Sequence, residues 1–376
     1  MGLEHGPRGL MSAQDSLTEL ARLVRTAGGW VVGETTQRRD HPDPATYIGS
    51  GKLEEVQRAR EETGYTLVVF DEQLSPAQQL RLESALKVKV LDRSALILDI
   101  FASRARTREA SLQVELAQHE YLLPRLRGQW QHLERMEGAI GSRGPGETQL
   151  ETDRRLIGLR IARLKRQIDD VRRQRALHRR RRERDGVPVV ALVGYTNAGK
   201  SSLLRAMAGV DVFAADALFA TLDPLTRRVG VEGGEAFLAT DTVGFIQKLP
   251  TQLISAFRAT LEELESADLL LHVVDATSPA ITAQWATVMQ TVQDLGLGEK
   301  PMLTVLNKAD GLLLPDGTPV AAEADLARVD IVSPAPEGGA LLVSATEGWG
   351  LAALRRRLAF ELFGERVPTF AHESAE

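Results

Sequence analysis

Three stretches of the chain carry three different hydrophobic rhythms. Residues 14–101 alternate short apolar runs with amphipathic ones, the order expected of a parallel sheet with crossover helices. Residues 16–27 have a helical pattern and residues 30–36 a strand-like one. Gly49-Ser50-Gly51-Lys52 opens a helix reaching the mid-60s, and TLVVF at 66–70 predicts a buried strand. Ser75-Pro76-Ala77-Gln78 predicts a helix start, with Ser75 as cap, Pro76 at the first helical position and Gln78 placed to close a capping box. A strand at 88–91 and a helix from Ser94 complete this block.

The second rhythm is a seam. From Ile157 the apolar positions step by four, three, four and three through Ile161, Leu164, Ile168 and Val171, the spacing of a coiled coil. Leu112, Leu116, His119, Leu123, Leu126, Trp130 and Leu133 repeat it earlier, and Pro124 has to kink or break that helix. His119 on the seam is read as a packed histidine. Trp130 is read as core, with stacking on a base as the alternative. Between the seams, GAIGSRGPG at 138–146 is too rich in glycine for regular structure. The expectation is an antiparallel helical hairpin over 104–185 with a long tip at 138–146. It ends in Arg179-Arg180-Arg181-Arg182, before a boundary at Asp185-Gly186-Val187-Pro188.

The third rhythm is a set of fully apolar strands, at 189–193, 236–240, 302–306 and 341–343, each running into a short polar turn. An acidic insertion at 311–339 and a helix near 351–363 follow.

Charge sharpens the division. The whole chain carries −5, but residues 102–184 hold 21 Lys and Arg against 11 Asp and Glu, a balance of +10 that leaves −15 for the rest. A basic middle between acidic flanks suggests a polyanion there, or else a solvated helix face. Arg143 and Arg179, Arg180, Arg181 and Arg182 are the candidate RNA-phosphate contacts. The chain has no cysteine, which excludes disulfides, thiolate metal sites and cysteine nucleophiles. Its mean hydropathy is −0.16, and no apolar run is long enough to span a bilayer. Residues 1–13 lack a signal core and are expected to form a disordered tail, and residues 366–376 a C-terminal tail. The expectation is a monomeric cytoplasmic protein without stable membrane insertion.

The turns after the third-block strands hold the chemistry. After the strand at 189–193 stands Gly194-Tyr195-Thr196-Asn197-Ala198-Gly199-Lys200-Ser201, then the helical start Ser202-Leu203-Leu204. This is a P-loop in its strand–loop–helix context: backbone amides wrap phosphates, Lys200 reaches the β- and γ-phosphates, and Ser201 binds Mg²⁺. Asp241-Thr242-Val243-Gly244 follows the next strand, with Asp241 for the Mg²⁺ shell through water and the Gly244 amide for the γ-phosphate. In Asn307-Lys308-Ala309-Asp310 a carboxylate can accept guanine N1–H and the exocyclic amine together. Adenine offers neither donor, so Asp310 selects GTP. Ser344-Ala345 would close over the base. Phe245 stands where other GTPases carry a water-orienting Gln, and its side chain makes no conventional hydrogen bond. Turnover is therefore expected to be slow until a partner completes the site. Gly49-Ser50-Gly51-Lys52 resembles half a P-loop but has Leu53 where Ser or Thr is needed, and is read as a helix start.

Tyr47–Lys52 (YIGSGK), GPGETQLETDRR at 144–155, GYTNAGKSS at 194–202, FATLDP at 219–224 and DTVGF at 241–245 make the chain resemble the HflX-type GTPases, in the same translation-factor-related group as Obg. The resemblance covers almost the whole chain. It implies that Thr221 is the switch threonine closing on Mg²⁺ and the γ-phosphate, with Phe219 beside the nucleotide. It further implies binding to the large ribosomal subunit, splitting of stalled or idle ribosomes, and a hairpin tip reaching toward the peptidyl-transferase region. Asn197 matches the spacing of potassium-activated relatives, so K⁺ joins Mg²⁺ as an expected cofactor.

The expected architecture is α/β. A P-loop G domain at 187–365, doubly wound on a mostly parallel sheet, follows an N-terminal α/β subdomain at 14–103 and the hairpin. Lys200, Thr221 and Gly244 are the expected catalytic groups. The expected function is a ribosome-associated GTPase whose GTP state binds the large subunit and whose hydrolysis drives release. The alternatives are a GTPase of ribosome assembly or RNA modification, and a weakly catalytic GTP-gated adaptor.

Overall fold

The computed structural model describes residues 1–4, 11–126, 145–209, 218–231, 234–248, 258–331, 334–335 and 340–364. They pack as two compact units, Met1–Ala176 with Lys248–Arg258, and Leu177–Gln247 with Ala259–Glu376.

In the first unit, β1 (Gly2–Glu4) pairs in parallel with β2 (Thr36–Arg38), and β3 (Leu67–Phe70) with β4 (Lys89–Asp92). Helices α1 (Ala13–Thr26), α2 (Ser50–Thr63), α3 (Pro76–Leu86) and α4 (Arg93–Arg104) complete it. The β3–α3–β4 crossover is the predicted one. Its capping box forms: the Gln78 amide donates to Ser75 Oγ at 3.2 Å and the Ser75 amide to Gln78 Oε1 at 3.0 Å. Tyr47, Ile48, Phe70, Leu82 and Val90 pack one core.

Three expectations are corrected here. Residues 30–35 form no strand; the strand starts at Thr36, and Trp30 is 90% exposed because the run has no surface to cover. Strand β3 alternates, with Leu67 exposed and Phe70 buried, because only one of its faces meets helices. The first residues are not a structureless tail. Gly2–Glu4 form β1, the Met1 ammonium donates to the Val69 carbonyl at 2.8 Å, and Ser12 caps α1 through the Asp15 amide at 3.1 Å. Non-local pairing of this kind leaves no signature in local composition. Residues 5–10, and the expected tail at 366–376, lie outside the described residues.

A buried charge network crosses this unit. Arg93, 1% exposed, pairs with Asp71 at 2.7 Å and with Glu19. Asp71 also accepts from the Ser16 hydroxyl at 2.6 Å and from Lys248 at 2.5 Å, while Glu72 holds Lys248 at 2.6 Å. Burial pushes the Asp71 carboxyl up, against the pull of Lys248.

Helix α5 (Arg108–Leu122) and α6 (Pro145–Asp185) make the seam. Leu116, Leu164 and Ile168 are buried on it with Leu112 and Ile161 beside them. Glu115 meets Arg160 at 2.5 Å and Glu120 meets Lys165 at 2.9 Å along its edge. Pro124 turns the end of α5 into a 3-10 turn, Leu123–Arg125. Pro145 and Gly146, expected in the tip, are instead the first turn of α6, where a proline is tolerated. Residues 127–144, which include Arg143, Trp130 and Leu133, lie outside the described residues. So do the side chains of Arg179–Arg182, whose backbone belongs to α6.

The second unit is built on β5 (Val189–Gly194), β6 (Leu225–Gly230), β7 (Ala236–Asp241), β8 (Leu269–Asp275), β9 (Met302–Asn307) and β10 (Ala340–Leu342). Their order is β10-β9-β8-β5-β7-β6, parallel except for the edge strand β6. Val190 and Leu192 of β5, Leu271 and Val273 of β8 and Val305 of β9 are fully covered, as strands with two covered faces require. Helices α7 (Lys200–Ala208), α8 (Arg258–Glu265), α9 (Ile281–Asp294) and α10 (Leu351–Phe363) accompany the sheet. Arg355 of α10 donates to the Ala206 and Met207 carbonyls at 3.2 and 2.9 Å, satisfying the last turn of α7. The strand order turns back at β5, and that switch point is where ligands of such sheets bind.

Candidate nucleotide site

Strand β5 ends on Gly194, whose φ is +155° and whose absent Cβ faces the Val273 carbonyl of the neighbouring strand. The loop from Tyr195 to Gly199 then turns into α7, with Asn197 at φ +62° and Gly199 at φ +90°. A Cβ on Gly199 would run into the Asn307 side-chain amide. Lys200 is buried, and its ammonium donates to the Gly194 and Tyr195 carbonyls at 3.2 and 3.1 Å. Burial lowers its pKa to about 8, with Asp241 opposing the shift.

Ser201, Thr221 and Asp241 come together although far apart in the chain. The Ser201 hydroxyl donates to Asp241 Oδ2 at 2.6 Å and shares a hydrogen bond with the Thr221 hydroxyl at 2.7 Å. Burial pushes the Asp241 carboxyl up, while Lys200 pulls it down. Its other oxygen, Oδ1, is buried and lacks a hydrogen-bond partner among the described residues. Two hydroxyls and a carboxylate with a spare buried oxygen form a hard-oxygen donor set, and the residues fit Mg²⁺.

Gly244 presses on the P-loop: a Cβ there would stand 2.7 Å from Thr196 Cα and 3.1 Å from Lys200 Nζ. The next residue, Phe245, is buried and paired to the loop by its backbone. Its amide donates to the Gly194 carbonyl at 3.0 Å and its carbonyl accepts from the Thr196 amide at 2.8 Å. Ser202, Phe219 and Thr221 line the same cleft, Phe219 at φ +56°.

On the opposite side of the P-loop, Asn307 ends β9. Its side-chain amide donates to the Ala198 carbonyl at 2.9 Å, and its oxygen accepts from the Ala345 amide at 3.1 Å. Lys308, at φ +65°, pairs with Asp275 at 2.7 Å. Asp310 Oδ1 accepts from the Ser344 hydroxyl at 2.6 Å. Asn307 and Asp310 are thus tied to Ala345 and Ser344 and, through Asn307, to the P-loop. Arg143 and Arg179–Arg182 give no such picture, since their side chains lie outside the described residues.

Two features of this site escaped the sequence. The Tyr195 hydroxyl accepts from the Gln247 amide at 3.1 Å. His272, inside β8 and 1% exposed, packs at a tilt against Trp285 with ring centroids 4.5 Å apart, and burial with the nearby Lys200 charge lowers its pKa to about 3. LLLHVVD at 269–275 carried the signal for the latter, a lone histidine inside an apolar strand.

Residues 14–102 match the family described as GTP-binding GTPase N-terminal, 104–182 the GTP-binding GTPase middle region, and 189–308 the 50S ribosome-binding GTPase family. Against GTPase HflX of Lacrimispora saccharolytica the identity is 50% over 308 residues, 81% of this chain and 73% of that one. Against GTPase HflX of Escherichia coli K12 it is 45% over 352 residues, 93% of this chain and 80% of that one. A GTP-binding protein of Sulfolobus solfataricus, solved in complex with GDP, aligns over 96% of this chain and 98% of its own, at 23% identity and a TM-score of 0.47. No helix among the described residues is long and apolar enough to cross a membrane. With a P-loop at the sheet's switch point and this identity along nearly all its length, the chain belongs to the HflX family of GTPases and hydrolyses GTP to GDP and phosphate.

Proposed function

We propose that this GTPase binds the large ribosomal subunit in its GTP state, splits stalled or idle ribosomes, and leaves when GTP is hydrolysed. The observation that carries the reading is the match of residues 189–308 to the 50S ribosome-binding GTPases, joined to a basic middle region. Basic side chains on long helices grip nucleic-acid phosphates without reading sequence, a mode suited to structured RNA.

In this reading the amides of residues 194–202 receive the phosphates, and Lys200 exchanges its two loop carbonyls for phosphate oxygens. Asp310 accepts from guanine N1–H and the exocyclic amine. Asn307 and Lys308 brace the base pocket, and Ser344-Ala345 covers it. Ser201, Thr221 and Asp241 would hold Mg²⁺. When bound, Mg²⁺ neutralises charge on the phosphates. The Gly244 amide turns to the γ-phosphate. Attack by water then needs only positioning and charge neutralisation, with no covalent intermediate. Phe245 offers the water no hydrogen bond, so the isolated protein turns over slowly and the ribosomal partner completes the site. Asn197 has the spacing for a K⁺ ligand, and faster turnover in K⁺ than in Na⁺ at matched ionic strength tests it. Arg143 and Arg179–Arg182 are the proposed RNA contacts of a protein that acts as a monomer in the cytoplasm.

Ribosome assembly is the second reading, because the same basic surface suits a precursor particle. GTP-dependent pelleting with mature large subunits against precursors separates the two. Preference for the precursors would overturn ribosome splitting.

A further inference from the structure

A P-loop holds phosphates with backbone amides and needs nothing from the side chain that follows its first glycine. Here that side chain is Tyr195, 4% exposed, and its hydroxyl takes the Gln247 amide at 3.1 Å. The backbone alongside is paired as well, Phe245 N to Gly194 O at 3.0 Å and Thr196 N to Phe245 O at 2.8 Å. Two backbone bonds and one phenol bond therefore lay residues 245–247 on the P-loop. The Gly194 carbonyl is a shared acceptor, taking both Phe245 N and the Lys200 ammonium at 3.2 Å. Gly244 sits directly before this strap, against Thr196 and Lys200.

We propose that Tyr195 is a positioning residue for GTP hydrolysis: its hydroxyl clamps residues 245–247 onto the P-loop and holds the site in a low-turnover arrangement that the stimulating partner releases. The inference deepens the partner-stimulated reading above and rests on it. The strap holds the chain on the far side of Gly244 and so resists reorientation of that glycine toward a γ-phosphate. Lys200 leaving its carbonyls for phosphate does not undo the strap, because Gly194 keeps Phe245. Nucleotide binding and strap release are therefore separable. The first is open to the free protein and the second waits for a partner.

Tyr195→Phe tests this, since it keeps the ring and removes the acceptor. Losing one hydrogen bond of ordinary strength should raise kcat of the free protein by roughly two- to tenfold. KM for GTP and the affinity for GDP should stay within about twofold, as neither depends on the strap. Amide hydrogen exchange over 245–247 should quicken while α7 exchanges as before, and kcat should rise with it, a pairing that a merely structural tyrosine would not produce. Stimulation by large ribosomal subunits should shrink by the factor that the basal rate gains. An unchanged or lower kcat, or unchanged exchange over 245–247, overturns the clamp. If both rise as expected but the parent protein is not stimulated by large subunits, the clamp stands and the ribosomal reading fails. If the parent is stimulated and Tyr195→Phe matches it at every step, the clamp fails and the ribosomal reading stands.

Discussion

Asn307 ties the end of β9 to the P-loop: its side-chain amide donates to the Ala198 carbonyl at 2.9 Å. Its oxygen meanwhile takes the Ala345 amide, so one side chain closes three loops on each other. Gly199 sits against the same amide and tolerates no Cβ there. Asn307→Ala leaves a buried loop carbonyl and an amide without partners, a cost of about 1–3 kcal/mol. GTP and GDP should both bind roughly ten- to a hundredfold more weakly. Because the bond braces the loop rather than the γ-phosphate, the ratio of the two affinities should stay the same in equilibrium titrations.

Asp310 is the residue proposed to choose the base. Its carboxylate is oriented by the Ser344 hydroxyl at 2.6 Å, leaving acceptor capacity for a ligand. Asp310→Asn inverts part of the donor–acceptor pattern. GTP affinity should fall by roughly a hundredfold or more, and xanthosine triphosphate should bind in its place. Competition titrations with the two nucleotides check this, and unchanged GTP affinity would remove the assignment.

The buried ion pairs of the N-terminal unit should matter more for stability than for catalysis. Arg93, Asp71 and Glu19 pair where all three are buried. Arg93→Met takes the guanidinium from both carboxylates while Asp71 keeps Lys248 and Ser16, and removing one partner of such a network costs about 3–5 kcal/mol. Thermal unfolding should show the loss in the unit that contains these residues, while GDP affinity stays within about twofold.

His272 gives a pH signature. Its folded pKa of about 3 lies below the ordinary 6.5, so the unfolded chain binds the extra proton between those values. The neutral imidazole costs nothing above pH 6.5, and the folded state loses stability as pH falls through that window. By pH 5 the loss is about 2 kcal/mol from this residue. The ring resonances of His272 should stay flat from pH 8 to about pH 4 in an NMR titration. A midpoint near 6 would show that the ring is hydrated.

Strands β5, β7 and β9 were legible as apolar runs that lead into polar turns; β6 and β8 were not among the expected strands, β6 because LTRRVG at the sheet edge is only partly covered and has no apolar run. The meeting of Ser201, Thr221 and Asp241 was legible only as a set of motifs, since spacing does not give distance. The seam was legible from Ile161, Leu164 and Ile168, whose period fixes one helix face. Strand β1 was not, because its partner β2 lies more than thirty residues on and neither segment has an apolar pattern of its own. Pro145 misled for a physical reason: the residue that breaks a helix interior also starts one. The Tyr195 bond to Gln247 was hidden because a tyrosine inside a glycine-rich loop looks the same whether its hydroxyl is used or idle.

In the function proposed above, a ribosomal partner completes an active site that Phe245 leaves unfinished. Its most direct test is single-turnover GTP hydrolysis by the full chain, with and without purified large ribosomal subunits, at a fixed salt concentration. Hydrolysis should be slow alone and rise at least tenfold with large subunits, about 1.4 kcal/mol or more off the barrier, and Phe245→Ala should change the free protein little. Equal rates with and without large subunits would contradict it.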